Sequence, residues 1–277
     1  LALARHHCPE ARILYALADL HHLRLARQAA VEERPELAAR SRQMRLAECT
    51  AAWMADAVLT HSPAEAAWLR QAVPEAEVHV VPWHVPPRPV ATPFAQRRGV
   101  GFLGGYAHAP NVDAAVWLVE AIMPLVWRSD PTIPCLLAGT GMPDRVRRLA
   151  RPGVEVLGEV ADPDALFGRV RVMTAPLRFG AGIKGKVLAG FAAGLPCVMT
   201  GVAAEGLGLS PPLRGDVADT AEAFAARILA LHGDAAAATR AGVAGLALVR
   251  AGFSAARVEA ALREAVTPRP AALRAVG

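Results

Sequence analysis

A proline-rich stretch divides this chain into two series of alternating strand-like and helix-like segments. Residues 82–98 contain five prolines and few apolar anchors, which is typical of a linker between domains. Short apolar runs separated by helical patterns favour parallel strands, because each helix carries the chain back to the start of the next strand. The pattern therefore predicts α/β units at residues 1–82 and 99–250, a linker at 83–98, and a C-terminal helix and tail at 251–277.

The first unit is predicted to be only part of a domain. It begins with Leu-Ala-Leu-Ala, lacks an initial Met and is expected to lead directly into a strand, so we expect an upstream portion to be missing. Ser62, Pro63 and Glu65 have the spacing of a capping box at a helix start. Strands are expected at residues 11–19, 57–60 and 78–82, with one long helix at 20–54.

The second unit has the pattern of a complete doubly wound sheet of five or six strands. A helix is expected at 111–127, opened by Asn111 as its cap with Asp113 in the first turn. A final helix at 254–265 precedes a Pro/Ala/Arg tail that is expected to be disordered. Strands are expected at 100–103, 133–138, 154–157, 171–175 and 196–200.

Composition restricts the classes of function. The chain is 53% hydrophobic and 20% charged, as in a globular protein, and no uninterrupted apolar run reaches the ~18 residues of a membrane span. Its net charge of +5 comes from scattered arginines, which favours no nucleic-acid partner; peripheral contact with an anionic membrane and a GC-driven arginine surplus both stay open. The four cysteines show no paired spacing and no signal peptide is recognisable, which predicts a cytoplasmic protein; a peripheral position at the inner membrane face stays open. The histidine pairs lack further ligands, so no metal is expected.

The only two lysines, Lys184 and Lys186, stand in one glycine-rich run, FGAGIKGK, at residues 179–186. In a chain so rich in Arg, Ala, Gly and Pro, lysines that persist are expected to be chemically needed, although chance adjacency is the alternative. Residues two apart on a helix do not share a face. We therefore expect one lysine to contact a ligand phosphate while the other supports it; a solvated helix start is the alternative.

Four loops have the features of a ligand site. In a doubly wound sheet, ligands bind outside the carboxyl ends of the strands, where glycines admit the backbone and helix N-termini attract anions. The loop at residues 178–182 is the most specific, because Arg178 is suited to bidentate phosphate contact beside two glycines. No Walker loop or GxGxxG fingerprint is present. The other loops are Gly104-Gly105, residues 139–141 and residues 158–160.

Three segments carry a resemblance to a known family. They read VGFLGGYAHAPNVDAAVWLVEAIMPLV, APLRFGAGIKGKVLAGFAAGLPCVMT and VAAEGL, and together they span most of residues 98–210. In this region the chain resembles the C-terminal half of a GT-B glycosyltransferase of the retaining group 1, family 4-like class. The earlier ILYALADLHHLR resembles the end of that family's N-terminal domain, and VVPWHVPP stands where the interdomain crossover lies.

The resemblance implies a nucleotide-sugar donor bound without a metal or other cofactor, and a glycan, lipid-linked or small-molecule acceptor. Protein cations and helix dipoles would then neutralise the departing diphosphate. His21 would lie near the reacting sugar, and Asp19 would position it or the acceptor; a packed or capping role for His21 stays open. The implied donor-binding residues are Gly104, Gly105, Gly139, Gly158, Val160, Arg178, Gly180, Gly182, Lys184, Lys186 and Glu205.

One departure from the family pattern keeps several functions open. The glutamate expected in a KVLEA run is Ala189 here, its partner eight residues earlier is Ala181, and Glu205 is the distant candidate to replace them. A glycosyltransferase is the first hypothesis. A degenerate, non-catalytic nucleotide-sugar-binding module is the second, and a nucleotide-sugar epimerase is a weaker third. The base, the sugar and the acceptor are left open.

Overall fold

The first unit is built on three parallel strands in the order β1-β2-β3. The computed structural model describes residues 1–267. The elements of this unit are α1 (Ala2–His7), β1 (Leu14–Leu17), α2 (His21–Glu32), α3 (Pro35–Met54), β2 (Ala57–Thr60), α4 (Pro63–Ala72) and β3 (Val78–Val80).

Two expectations for this unit were wrong. A helix, not a strand, is the first element, and the single helix expected at 20–54 is two helices. The break comes at Glu33, which adopts a left-handed conformation (φ 54°) at the end of α2, and Pro35 then begins α3. A glutamate gives no indication of a left-handed conformation, which is usual for glycine, so the sequence did not reveal this break. Proline favours the first turn of a new helix.

The capping box was half right. The Ser62 hydroxyl accepts a hydrogen bond from the Glu65 amide, at 3.4 Å, and begins α4. The Glu65 carboxylate, however, accepts hydrogen bonds from the Leu20 amide (2.9 Å) and the Thr60 hydroxyl (3.1 Å). This buried carboxylate therefore joins α4 to the carboxyl ends of β1 and β2 instead of closing its own helix.

The second unit confirms the doubly wound parallel sheet, with five strands in the order β6-β5-β4-β7-β8. The strand order reverses direction at β4, so a crevice forms at the carboxyl ends of β4 and β7, where such sheets bind ligands. Its elements are a 3₁₀ turn (Phe94–Gln96), β4 (Gly99–Leu103), α5 (Ala109–Trp117), a π-helical turn (Leu118–Ile122), α6 (Met123–Ser129), β5 (Cys135–Ala138), α7 (Asp144–Arg147), β6 (Val154–Gly158), α8 (Asp164–Phe167), β7 (Val170–Ala175), α9 (Gly185–Ala192), β8 (Cys197–Met199), α10 (Gly201–Ala204), α11 (Pro211–Arg214), α12 (Ala221–Gly233), α13 (Ala235–Gly252) and α14 (Ala255–Val266).

The central strands of this sheet are largely apolar because helices cover both faces. Phe102, Leu136, Met173 and Val198 are fully buried. The helix expected to start at Asn111 starts instead at Ala109, after His108, with Pro110 in its first turn. Asn111 is therefore not a helix cap, and its side chain is free to bond elsewhere.

Two adjacent crossings join the units. The linker amide of Val85 donates to the Phe253 carbonyl, at 2.9 Å, so the outgoing linker lies beside the returning chain. The expected C-terminal helix is α14, which returns to the first unit, where Arg12 Nη2 donates to the Ala265 carbonyl at 3.1 Å. Residues 268–277 of the expected tail lie outside the described residues.

Two helical stretches, Ala109–Ser129 and Ala235–Val266, have the length and apolar composition of a membrane span. The core helix of a soluble protein meets the same criteria, and most of the first stretch is buried inside the fold. The second contains the non-helical Phe253 between α13 and α14. We therefore assign neither stretch to a membrane.

Close backbone packing of α13 on the end of α9 gives a stability test. A Cβ at Gly242 would lie 2.2 Å from the Gly194 carbonyl oxygen, whereas one at Gly252, on the same helix, would meet nothing within 4 Å. We expect Gly242→Ala to lower the free energy of unfolding by about 1–3 kcal/mol. Gly252→Ala should leave it unchanged or raise it by up to about 1 kcal/mol. Urea unfolding of the two variants measures both, and equal midpoints would contradict the close contact.

Candidate functional site

A glycine-lined cavity of about 300 Å³ opens at the carboxyl ends of β4 and β5. A second cavity, of about 440 Å³, adjoins it, and both are lined by Gly139. The first is lined by Leu103, Gly104, Gly105, Gly139, Thr140, Val160, Pro163, Gly185, Lys186 and Ala189. The second is lined by Gly139, Gly141, Met142, Arg147, Ala150, Val156, Leu157, Gly158 and Glu159. Of the expected donor-binding residues, the structure thus brings together Gly104, Gly105, Gly139, Gly158, Val160 and Lys186.

Gly139 is the point where the two cavities meet, and only glycine fits there. Its φ is +136°, and a Cβ would lie 1.7 Å from the Gly104 carbonyl oxygen. The Gly139 amide donates to the Gly158 carbonyl, at 2.8 Å. The loops after β4, β5 and β6 therefore pack backbone against backbone, which leaves room beside them for a ligand.

Lys186 carries the positive charge in the wall of the first cavity. Its ammonium donates to Asn111 Oδ1, at 2.6 Å, and lies over the Phe102 ring, 5.4 Å from the centroid. Burial, with the nearby charge of Lys184, lowers the pKa of Lys186 to about 8. The contacts of Lys186 within residues 1–267 are with a neutral amide and an aromatic ring, so its charge, where the ammonium is protonated, is not paired with a carboxylate and is available to an anion.

Asn111 has a supporting role that the sequence did not reveal. Its Nδ2 donates to the Gly105 carbonyl, at 2.7 Å, while its Oδ1 accepts from Lys186. The side chain thus ties the glycine loop after β4 to the start of α9. The one signal in the sequence was its rarity, since Asn111 is the only asparagine.

Lys184 is placed differently, inside its own loop. Its ammonium donates to the carbonyls of Ala181, at 2.9 Å, and Gly182, and only 7% of the residue is exposed. Burial lowers its pKa to about 8, although Glu205 and Glu65 oppose that shift. Lys184 lines neither cavity and braces the 180–182 loop from within.

Arg178 is held by a carboxylate. Its guanidinium forms two hydrogen bonds with Asp113, one of them from Nε at 3.0 Å, and these raise the pKa of Arg178. The Arg178 side chain is 42% exposed and lines neither cavity. The pair joins the loop after β7 to the first turns of α5, where Asp113 had been expected only to favour the helix dipole.

Gly180, Gly182 and Glu205 lie at the seam between the two units. Gly182 has a φ of +67°, and a Cβ there would lie 3.0 Å from the Asp19 Cβ. Glu205 accepts hydrogen bonds from Arg27 of α2 at 2.7 and 2.9 Å, and Arg27 also donates to the Gly180 carbonyl at 2.8 Å. Sequence reasoning missed Arg27, because nothing distinguishes it among the many arginines.

Asp19 and His21 face this seam from the first unit. His21 Nε2 lies 2.9 Å from one Asp19 oxygen, and Arg24 Nη1 lies 3.1 Å from the other. His21 is the first residue of α2 and its side chain is 48% exposed, so it is open to a ligand. The packed histidine is its neighbour His22, whose Nδ1 lies 2.6 Å from Glu48 and whose ring contacts Trp68. Among residues 1–267, no group of three or more His, Cys, Asp or Glu side chains could hold a metal ion.

Several solved structures share this fold. TarM from S. aureus, as a variant in complex with fondaparinux, alpha-GlcNAc-glycerol and UDP, aligns with a TM-score of 0.68 at 14% identity over 80% of this chain and 45% of that one. HepE of Anabaena, in complex with UDP and glucose, aligns with a TM-score of 0.68 at 16% identity over 95% and 73%. A UDP-forming α,α-trehalose-phosphate synthase from Burkholderia xenovorans aligns with a TM-score of 0.61 at 12% identity over 92% and 74%. The chain thus spans less than half the length of TarM.

No curated protein sequence matches the chain. Residues 97–234 match the family described as glycosyl transferases group 1, a segment that begins just before β4 and ends just after α12. This segment contains every loop that lines the two cavities. By its match over residues 97–234, the chain belongs to the group 1 glycosyltransferases. Its fold is the GT-B fold.

Proposed function

We propose that this protein transfers a sugar from a nucleoside-diphosphate-sugar to a carbohydrate acceptor. The observation that carries the proposal is the position of Lys186. Its partly desolvated ammonium lies in the wall of a glycine-lined cavity at the carboxyl ends of β4 and β5, beside the start of α9. A diphosphate in this cavity would meet a positive charge that is already oriented by Asn111.

The chemistry follows from where charge develops. When the bond between the sugar and the diphosphate breaks, negative charge collects on the departing diphosphate oxygens. A fixed cation in a partly dry cavity stabilises that charge more than water does, because it needs no reorientation. We propose that Lys186 and the backbone around Gly104 supply this stabilisation and that no metal is required; unchanged turnover in a chelator tests the second part.

The adjoining 440 Å³ cavity suits the nucleoside. Val156 and Leu157 offer apolar surface, and Gly158 (φ +72°) exposes its backbone, so a base can lie against the strand end. TarM and HepE were each solved with UDP. Uridine diphosphate is therefore the first nucleotide to test.

We place the acceptor on the side of the first unit that carries Asp19 and His21. The exposed His21 imidazole is held by the Asp19 carboxylate, and the Cβ of Asp19 lies close to Gly182 of the 180–182 loop. An acceptor hydroxyl bound there would approach the donor sugar across the seam. Retention of anomeric configuration is part of the proposal and is read from the product by NMR.

A lipid-linked acceptor at an anionic membrane surface extends the proposal; vesicle co-sedimentation tests that contact.

Ala189 favours a second candidate function, a nucleotide-sugar-binding module without turnover. Ala189 lines the first cavity where the family resemblance implies a glutamate, and none of the residues that line this cavity is a carboxylate. Sugar or ribose hydroxyls in the cavity would then lack a charged acceptor. Binding of a donor without hydrolysis or transfer, in assays with a panel of acceptors, would support this candidate.

Removal of the Lys186 charge should weaken nucleotide binding. A hydrogen bond to a charged group contributes about 1.5–3 kcal/mol, so Lys186→Ala should raise the Kd for UDP at pH 7.5 about 10- to 150-fold. Arg128→Ala, which removes an exposed arginine at the end of α6, serves as the charge-matched control and should leave the Kd within about twofold. Calorimetry measures both, and an unchanged Kd in Lys186→Ala would refute the proposed site.

The low pKa of Lys186 also predicts a pH dependence. An anion binds the charged form, so the Kd for UDP should rise as the pH passes about 8, by up to about tenfold per pH unit. Lys186→Arg stays charged and should give a flat profile from pH 7.5 to 9.5. The free energy of unfolding changes in the opposite direction. Between pH values of about 8 and 10.5, the ordinary pKa of lysine, the unfolded chain holds more protons on Lys186 than the folded chain does. The contribution of Lys186 to stability therefore rises with pH in this range. A parallel fall of affinity in the arginine variant would refute the assignment to Lys186.

A further inference from the structure

We propose that Arg27 is a positioning residue that holds the 180–182 loop of the second unit in register with α2 of the first. Its guanidinium bridges two partners across the seam. Nη1 donates to the Gly180 carbonyl (2.8 Å) and to Glu205 Oε2 (2.7 Å), and Nη2 donates to Glu205 Oε1 (2.9 Å). Only the planar fork of arginine can make this set of contacts; an ammonium can replace one of them.

The contact is partly shielded from water. The Arg27 and Glu205 side chains are each 27% exposed, so the pair is neither a freely solvated ion pair nor a deeply buried one. The hydrogen bond from Arg27 lowers the pKa of Glu205, and the nearby charge of Lys184 acts in the same direction. Glu205 therefore stays ionised near neutral pH and bound to Arg27, and it lines neither cavity.

The loop that Arg27 holds has further supports from both units. A Cβ on Gly182 would meet the Asp19 Cβ and the Ala18 carbonyl at 3.0 and 3.1 Å, so the loop packs directly on the end of the first sheet. Burial raises the pKa of Glu65, and a backbone hydrogen bond from Gly182 opposes that rise. Lys184 braces the same loop from inside the second unit.

Helix α2 then acts as a rigid spacer. It begins at His21, and Arg27 follows six residues later on the same helix. At 1.5 Å per residue this fixes about 9 Å of axial distance between the exposed imidazole and the clamp on the loop. Arg27 touches no reacting group in this arrangement; it sets the distance between the face that carries Asp19 and His21 and the loop that leads into α9 and Lys186.

The consequence for turnover rests on the proposed function. Misplacement of a reacting group by about 1 Å can cost about 10²-fold in rate. We expect Arg27→Ala to lower kcat by about 10- to 100-fold while the Kd for UDP, set by Lys186 and the glycine loops, changes by less than about threefold. Arg27→Lys, which keeps one contact, should recover part of the lost kcat.

A second readout is independent of any activity. Amide hydrogen exchange of residues 179–183 and of α2, in the nucleotide-free protein, should become about tenfold faster or more in Arg27→Ala while the core strands β4 and β7 keep their protection. Glu205→Gln should reproduce the effect, and Arg27→Ala/Glu205→Gln should add little, because the two side chains act as one unit. Arg34→Ala, which breaks ion pairs with Glu32 at the end of α2 and with Glu36 of α3, is the matched control and should leave the 179–183 exchange unchanged.

The outcomes separate the two proposals. Unchanged exchange at 179–183 in both Arg27→Ala and Glu205→Gln overturns the positioning role, as does faster exchange spread evenly over the whole chain. If Arg27→Ala does not fold, Arg27→Lys and Glu205→Gln decide the matter by the same readout. Faster local exchange with no transfer from any donor keeps Arg27 as a positioning residue and refutes the transferase proposal alone.

Discussion

The approach of the Gly139 backbone to the Gly104 carbonyl is the contact on which the site depends. No side chain fits between these loops, so the carboxyl ends of β4, β5 and β6 meet backbone to backbone. The first cavity is walled largely by glycines and uncharged side chains. Among the residues that line it, Lys186 is the one that carries a charge, so it dominates the electrostatics of that cavity.

The two lysines, which are two positions apart in the sequence, have different contacts. Lys184 precedes α9 and turns inward to satisfy the carbonyls of a tight loop, while Lys186 belongs to the first turn and faces Asn111 and the cavity. Burial lowers both pKa values for the same reason, loss of hydration, but the partners differ. The Lys184 ammonium is bound by backbone carbonyls of its own loop, whereas Lys186 donates to a neutral side-chain amide beside the cavity and is available to an anion.

Local patterns in the sequence predicted the strands and helices. They did not predict the contacts between residues that are distant in the chain. The alternation of apolar runs with helices was sufficient for the parallel sheet, and the glycine loops assembled as expected because strand ends meet at one edge. Glu33 was missed because its left-handed φ has no residue signature. The partners of Glu65, Asn111 and Arg178 were missed because each lies in another element, and Arg27 reaches Glu205 across 178 positions. Pairings of that kind depend on tertiary packing that periodicity does not encode.

The bond from the Val85 amide to the Phe253 carbonyl has a mechanical consequence. Within residues 1–267 the chain passes between the two units twice, and this bond places the two connections side by side. Two adjacent connections favour rotation of one unit against the other about a single axis, in the manner of a hinge. Because α14 is hydrogen-bonded to the first unit at Ala265, it would move with that unit. The seam between the units would then open farthest from these two connections.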